Sequence, residues 1–243
     1  MALRKWVYVA SILLTLTLAI ILYARTVSSS ETDSNESIVF YVNKEPVTRA
    51  EFQLVLSELR PSVYSYFTQK YGVTDSPEFW SADHGGEVPA RMLKQSAIDY
   101  LIRLKVESLS MKANGMIEDI SYEKLQKDWT NENEKRKEAV KLKQPIYGPQ
   151  QFTLPIYYRY IQAERVEHLK KKLNEAAVSE EEIQSYYQDN KDSFSADQSA
   201  NELKDKIRTD LRDAKYSRLL DRLVKAADVE IINKSYVQDD TDI

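Results

Sequence analysis

The sequence predicts a mainly α-helical body preceded by one transmembrane helix. Gly and Pro number only 5 and 7 in 243 residues, few for a sandwich or a loop-rich enzyme and suited to long helices with short connections. Apolar residues recur at helical spacing behind Ser or Thr caps along most of the chain. Trp6 to Ala24 is a run of ~19 residues without charge, about the length that crosses a bilayer core.

Arg4 and Lys5 precede that run, so the positive-inside tendency places the N-terminus in the cytoplasm and the body outside. The apolar run exceeds the roughly 7–15 residues of a cleavable leader. Leu22-Tyr23-Ala24 is a poor cleavage site and Thr26-Val27-Ser28 a fair one. An uncleaved anchor over residues 1–25 is therefore the primary reading, and a cleaved, secreted form the alternative. Thr26 to Ser37 is polar and reads as a flexible linker.

Ile38 to Val42 is β-branched and aromatic, hence a strand, and Asn43-Lys44-Glu45-Pro46 turns the chain. Thr48 and Glu51 have capping-box spacing ahead of a helix carrying Phe52, Val55, Leu56 and Leu59. Pro61 is expected to end that helix, with a separate short one over Ser62 to Tyr71. Gly72 to Val88 reads as a loop. Pro89 opens a long helix closed by Gly115, with Leu93, Ala97, Tyr100, Leu101, Leu104 and Ser108 on one face. Ser121 to Lys143 is a charged helix touching the core through Leu125, Trp129 and Val140.

Gln144 to Phe152 is a Pro/Gly connection. Thr153 and Pro155 open the next helix, with Ile156, Tyr160, Val166 and Leu169 expected inward. Ser179 with Glu182, and Ser199 with Glu202, are further capping boxes. The first opens a short helix striped by Ile183, Tyr186 and Tyr187; the second opens a helix reaching about Ala227. Val229 to Ile232 is a second short strand. A lone strand leaves its backbone groups unmatched, so the two are expected to pair and close one domain over residues 38–232. Residues 233–243 read as a loose acidic tail.

Composition excludes several functions. Hydrophobic residues make up 42% and charged residues 30%, which fits a folded body rather than disorder. The net charge is −4, and removing residues 1–25 leaves 31 basic against 38 acidic residues, a net −7. That field disfavours nucleic acid. Cysteine is absent, which excludes disulfides, thiolate metal sites, a cysteine nucleophile and a lipidated cysteine. His84 and His168 stand far apart without carboxylate or thiol neighbours at ligand spacing, so no catalytic residue, metal or cofactor is expected.

Val42 to Phe52 (VNKEPVTRAEF), Leu93 to Gly115, Val178 to Phe194 (VSEEEIQSYYQDNKDSF) and the final helix with VEII resemble, in order, segments of the SurA/PrsA-type extracytoplasmic isomerase and chaperone family. The resemblance implies a SurA N-terminal-like helical chaperone domain that holds unfolded exported polypeptides. In that family the Val178–Phe194 segment leads into a parvulin isomerase domain. Here Ser199 opens another helix a few residues later, so that domain is expected to be absent near 191–199.

Tyrosine is abundant, with 16 in the chain. Tyrosines fill half-buried helix faces or form patches for apolar ligands. The substrate-binding candidates are Tyr64, Tyr66, Phe67, Tyr71, Phe79 and Trp80, joined by Tyr157, Tyr158 and Tyr160, which span more than one helix face. The expected function is a membrane-anchored holdase with unfolded exported polypeptides as partners and the bilayer contacted through residues 6–24. A residual prolyl isomerase activity and a non-chaperone scaffold in an envelope complex are the alternatives, and self-association is left open.

Overall fold

A computed structural model describes residues 37–74, 76–173, 177–194 and 199–238. The expected anchor, the linker up to residue 36 and the last tail residues, 239–243, lie outside the described residues. The elements in order are β1 (Ile38–Val42), β2 (Glu45–Thr48), α1 (Arg49–Tyr71), α2 (Pro89–Ala113), α3 (Tyr122–Lys141), α4 (Leu154–Lys172), α5 (Glu180–Asp189), a 3₁₀ turn (Lys191–Ser193), α6 (Ala200–Lys225), β3 (Val229–Ile231) and α7 (Lys234–Gln238). Among the described residues no helix is long and apolar enough to cross a membrane.

The expected pairing of the two outer strands forms, with Phe40 opposite Ile231 and Val42 opposite Val229 in antiparallel register. The sheet has a third strand that was expected to be only a turn. Asn43 and Lys44 both take positive φ, 49° and 69°, the geometry of a two-residue hairpin. The chain therefore doubles back at once, and Glu45–Thr48 pairs with β1 to give the order β2-β1-β3. Pro46 is tolerated because β2 is an edge strand.

Pro61 does not break α1, which runs without interruption from Arg49 to Tyr71. The buried stripe of Phe52, Val55, Leu56, Val63 and Phe67 keeps helical spacing straight across it. Pro61 itself faces solvent, where water can satisfy the carbonyl that it frees.

Helix α2 is the centre of the fold, packed by α1, α4, α6, α7 and β1. Leu93, Ala97, Leu101 and Met111 are buried in the main core with Phe40, Phe52 and Phe67. Helices α3 and α4 share a satellite core of Leu125, Phe152 and Tyr157, with Trp129 packed against it. Asn133 is buried there and grips the Phe152 backbone twice, through Nδ2 to the carbonyl (2.9 Å) and Oδ1 from the amide (2.8 Å). Val140 is exposed rather than a core contact, because the satellite core is confined to the first turns of α3. On α4, Ile156 and Tyr160 are also exposed. Apolar residues occupy several faces of α4; Leu169 is buried as expected, Val166 packs against the main core, and Tyr157 supplies the buried contact in place of Ile156 and Tyr160.

The segment after Asn233 is not wholly loose. Tyr236 and Val237 of α7 are buried in the main core. Lys94 donates to the Tyr236 carbonyl at 2.8 Å, Gln53 bonds the Tyr236 hydroxyl, and Arg49 lies over the Tyr236 ring at 4.7 Å. The acidic composition downstream masked this short apolar anchor.

Candidate functional site

The aromatic segment after α1 folds into a closed cap. Phe67 and Phe79 are buried, with rings 6.2 Å apart, and Phe67 also meets Tyr71 at 5.6 Å and His84 at 5.6 Å. Tyr64 and Trp80 are half-buried against Phe79, and Arg60 lies over the Trp80 ring at 4.4 Å. Lys70 (3.1 Å) and the hydroxyls of Tyr66 and Tyr71 (both 3.0 Å) converge on the Glu87 carboxylate. The Lys70 bond holds the Glu87 carboxyl below the ordinary glutamate range; Tyr66 and Glu87 raise the lysine in turn. Gly85 sits at φ +67° under Tyr71, with 3.4 Å from an added Cβ to the ring, so the loop passes close beneath it. In this conformation Phe67 and Phe79 have no surface to offer a ligand, and Tyr64, Tyr66, Tyr71 and Trp80 offer edges.

The three α4 tyrosines diverge. Tyr157 packs in the satellite core, 5.9 Å from Phe152. Tyr158 turns inward and donates to Glu51 at 3.0 Å, and burial followed by the Glu51 charge pushes its phenol far above its usual value. Tyr160 points outward, stacked on Phe152 at 5.2 Å. Glu51 forms only half of the expected capping box. Thr48 accepts its amide at 3.2 Å, while its carboxylate turns inward to Lys105 at 2.9 Å, both side chains being 2% exposed. Burial also pushes the neighbouring Tyr122 phenol up to about 12.

A partly apolar opening lies elsewhere, between α5 and α6. Both helices begin with complete capping boxes, at Ser179 and Ser199. Their positions back to back turn the stripe of α5 toward the first turns of α6. Ile183, Tyr187, Phe194, Leu203 and Ile207 line an open cleft of about 870 Å³, a volume usual for ligand pockets. Ile183 and Ile207 are buried at its base, and Phe194 stacks on Tyr187 at 5.8 Å.

Three cations of α6 clamp the acidic first turn of α5: Lys204 and Arg208 on Glu180 at 2.6 and 2.8 Å, and Lys215 on Glu182 at 2.7 Å. Lys204 holds Glu180, and Lys215 holds Glu182, below the ordinary glutamate value. No histidine lines this cleft. Among the described residues no group of three or more His, Cys, Asp or Glu could hold a metal ion.

None of Ile183, Tyr187, Phe194, Leu203 and Ile207 was among the substrate-binding candidates read from the sequence. The signal for them was present, since two capping boxes separated by one short connection force adjacent helices whose apolar stripes must meet.

No family model matches this chain, and no solved structure matches it. The chain is 27% identical over 207 residues to a protein of Bifidobacterium longum subsp. longum named as a chaperone for lacto-N-biosidase. The match covers 83% of this chain and 73% of that relative.

Proposed function

We propose that this chain is a membrane-anchored, extracytoplasmic holdase chaperone, related to the SurA/PrsA kind but without an isomerase domain. The cleft between α5 and α6 is its client-binding surface, taking apolar segments of unfolded exported polypeptides. The observation that carries this reading is the 27% identity to a chaperone across most of the described body. The cleft supports that reading as a concave opening of ligand-pocket volume whose lining combines Ile183, Tyr187, Phe194, Leu203 and Ile207 with polar side chains such as Gln184 and Gln188. The six-position step from Phe194 to Ala200 supports binding without catalysis, since it is far too short to hold a parvulin domain.

The anchor at residues 6–24, the linker and the extracytoplasmic location belong to the same proposal, resting on the charge-flanked apolar run. The client edges of Tyr64, Tyr66, Tyr71, Trp80 and Tyr160 are secondary contacts within it. The relative's name specifies one client, which favours a narrow client range.

The full chain, held in lipid nanodiscs, should slow aggregation of an unfolded exported polypeptide. Tyr187→Asp with Leu203→Asp should remove that effect while leaving the circular dichroism spectrum intact. A wild-type chain without effect at molar excess refutes the proposal. Acceleration of cis/trans exchange in a proline peptide would point to isomerase activity instead, and recovery of one folded stoichiometric partner to a scaffold.

A further inference from the structure

Beyond the chaperone reading, we propose that the tip joining α3 to α4 docks on an anionic bilayer surface. Five of the ten large apolar side chains exposed among the described residues fall between positions 140 and 160. Three of them, Val140 (40% exposed), Leu142 (60%) and Tyr147 (91%), belong to the tip itself. Around them residues 132–149 carry Lys135, Arg136, Lys137, Lys141 and Lys143 against Glu132, Glu134 and Glu138, with which Arg136, Lys137 and Lys141 pair. That is a net +2 in a chain whose net charge is −4. Lys135 and Lys143 enter no ion pair among the described residues, so their charge is available to an outside anion.

The exposure is built rather than slack. Helix α3 closes with backbone bonds from Lys143 to Val140 and from Gln144 to Ala139, which put Lys143 at φ 53°, the left-handed conformation that favours glycine. Arg136 then braces the connection, donating to the carbonyls of Tyr147 (2.9 Å) and Pro149 (2.8 Å) while lying over the Phe152 ring at 4.3 Å. Trp129 and Asn133 both donate to the Phe152 carbonyl, fixing the far end. The backbone is held, yet Leu142 and Tyr147 stay mostly open to solvent.

Exposed apolar and aromatic side chains on a held backbone, next to lysines without ion-pair partners, are the chemistry of interfacial binding. Leu142 and the Tyr147 ring enter the headgroup region, and Lys135 and Lys143 meet anionic lipid. Charge complementarity favours this occupant over an unfolded polypeptide, for which apolar surface alone would serve. The lysine run at 170–172 offers no equivalent surface. Lys170 is engaged by Glu167 and Asp213, and Lys172 by the Asn114 carbonyl.

The sequence has no cysteine, so Gln144→Cys places a single thiol at the tip, beside Leu142 and Tyr147, for an environment-sensitive fluorophore. The labelled full chain is reconstituted in phosphatidylcholine vesicles with or without phosphatidylglycerol, each carrying a lipid-borne quencher. The expected result is a blue shift and quenching with phosphatidylglycerol only, reversed by high salt. Lys143→Gly, which keeps the left-handed turn while removing a charge, should lower the docked-to-free ratio about fivefold. Leu142→Asp should abolish quenching with unchanged circular dichroism.

A probe that stays in water in anionic vesicles overturns the proposal, as does equal quenching in both lipids. A shift produced by unfolded polypeptide without phosphatidylglycerol also overturns it and makes the tip a client surface. The same label at Gln188→Cys, on the rim of the cleft, should respond to client and not to lipid, so the cleft and the tip fail independently.

Discussion

Replacing Lys105 by Met should be among the most damaging single changes that the structure permits. The pair of Glu51 and Lys105 is almost wholly excluded from water, with 2.9 Å between Nζ and Oε2. Met keeps the length of the stem and removes only the charge, so packing is nearly conserved. The carboxylate is then left buried with the Tyr158 hydroxyl as its remaining side-chain donor. Losing one partner of a buried pair costs about 3–5 kcal/mol, and the retained charge-assisted bond puts the expectation near the lower end. With a urea slope of about 2 kcal/mol/M, the midpoint should fall by roughly 1.5 M.

The decisive comparison is the triple variant Glu51→Leu, Lys105→Met and Tyr158→Phe, which removes every charge and hydroxyl together. Thr48 keeps its cap, because it accepts the backbone amide and not the carboxylate. The triple variant should recover to within about 1 kcal/mol of the natural chain or exceed it. Urea unfolding followed by far-ultraviolet circular dichroism measures both. A single variant costing less than about 1 kcal/mol, or a triple variant no better than the single, would refute the argument.

Pro61→Ala restores a backbone donor inside α1 at an exposed position and should raise stability, by up to about 3 kcal/mol; an unchanged or lower melting temperature would show that the helix depends on a bend there. Helix α5 has 10 residues, below the length at which an isolated helix persists, so it depends on its cap and on α6. Ser179→Ala should cost α5 about 1 kcal/mol, seen as faster amide exchange at Ile183 with little change in global melting. The carboxyls of Glu180 and Glu182 titrate below their unfolded value, so their contribution is complete above pH ~4.3 and lost as pH falls through the folded value. Amide protection in α5 should therefore weaken as pH falls below that value, before the main core unfolds, and protection that outlasts the core's own acid transition would contradict the clamp.

Helix existence and the closing strand pair were legible because their signals are local: caps, periodicity and β-branched runs. The failures were cases where one residue carried two messages. Pro61 reads as a breaker, but Phe52, Val55, Leu56, Val63 and Phe67 keep one phase across it, and the packing of that stripe outweighs one lost bond. Glu51 reads as a capping residue, and only its approach to Lys105, across 54 positions, reveals where the carboxylate goes. Tyr236 lies beside an acidic run that hides its place in the core.

The candidate site followed the same division. Aromatic density between 64 and 80 marked a cap that consumes its own rings. The cleft at Tyr187 and Leu203 depended on how two short signals are arranged in space.

The pairing of β1 with β3 makes this domain a loop that its own ends must tie. Asn43 and Asp228 exchange two hydrogen bonds across 185 positions of chain, and Val39 accepts from both Ile232 and Asn233. Such a contact comes late, because the entropy of closing so long a loop opposes it until the helices between have collapsed. A chain threaded through a pore behind an N-terminal anchor would bring out β1 and its hairpin early and keep one flank of β1 open until β3 and α7 emerged. The last strand to arrive acts as a latch, and the body stays threadable until it engages.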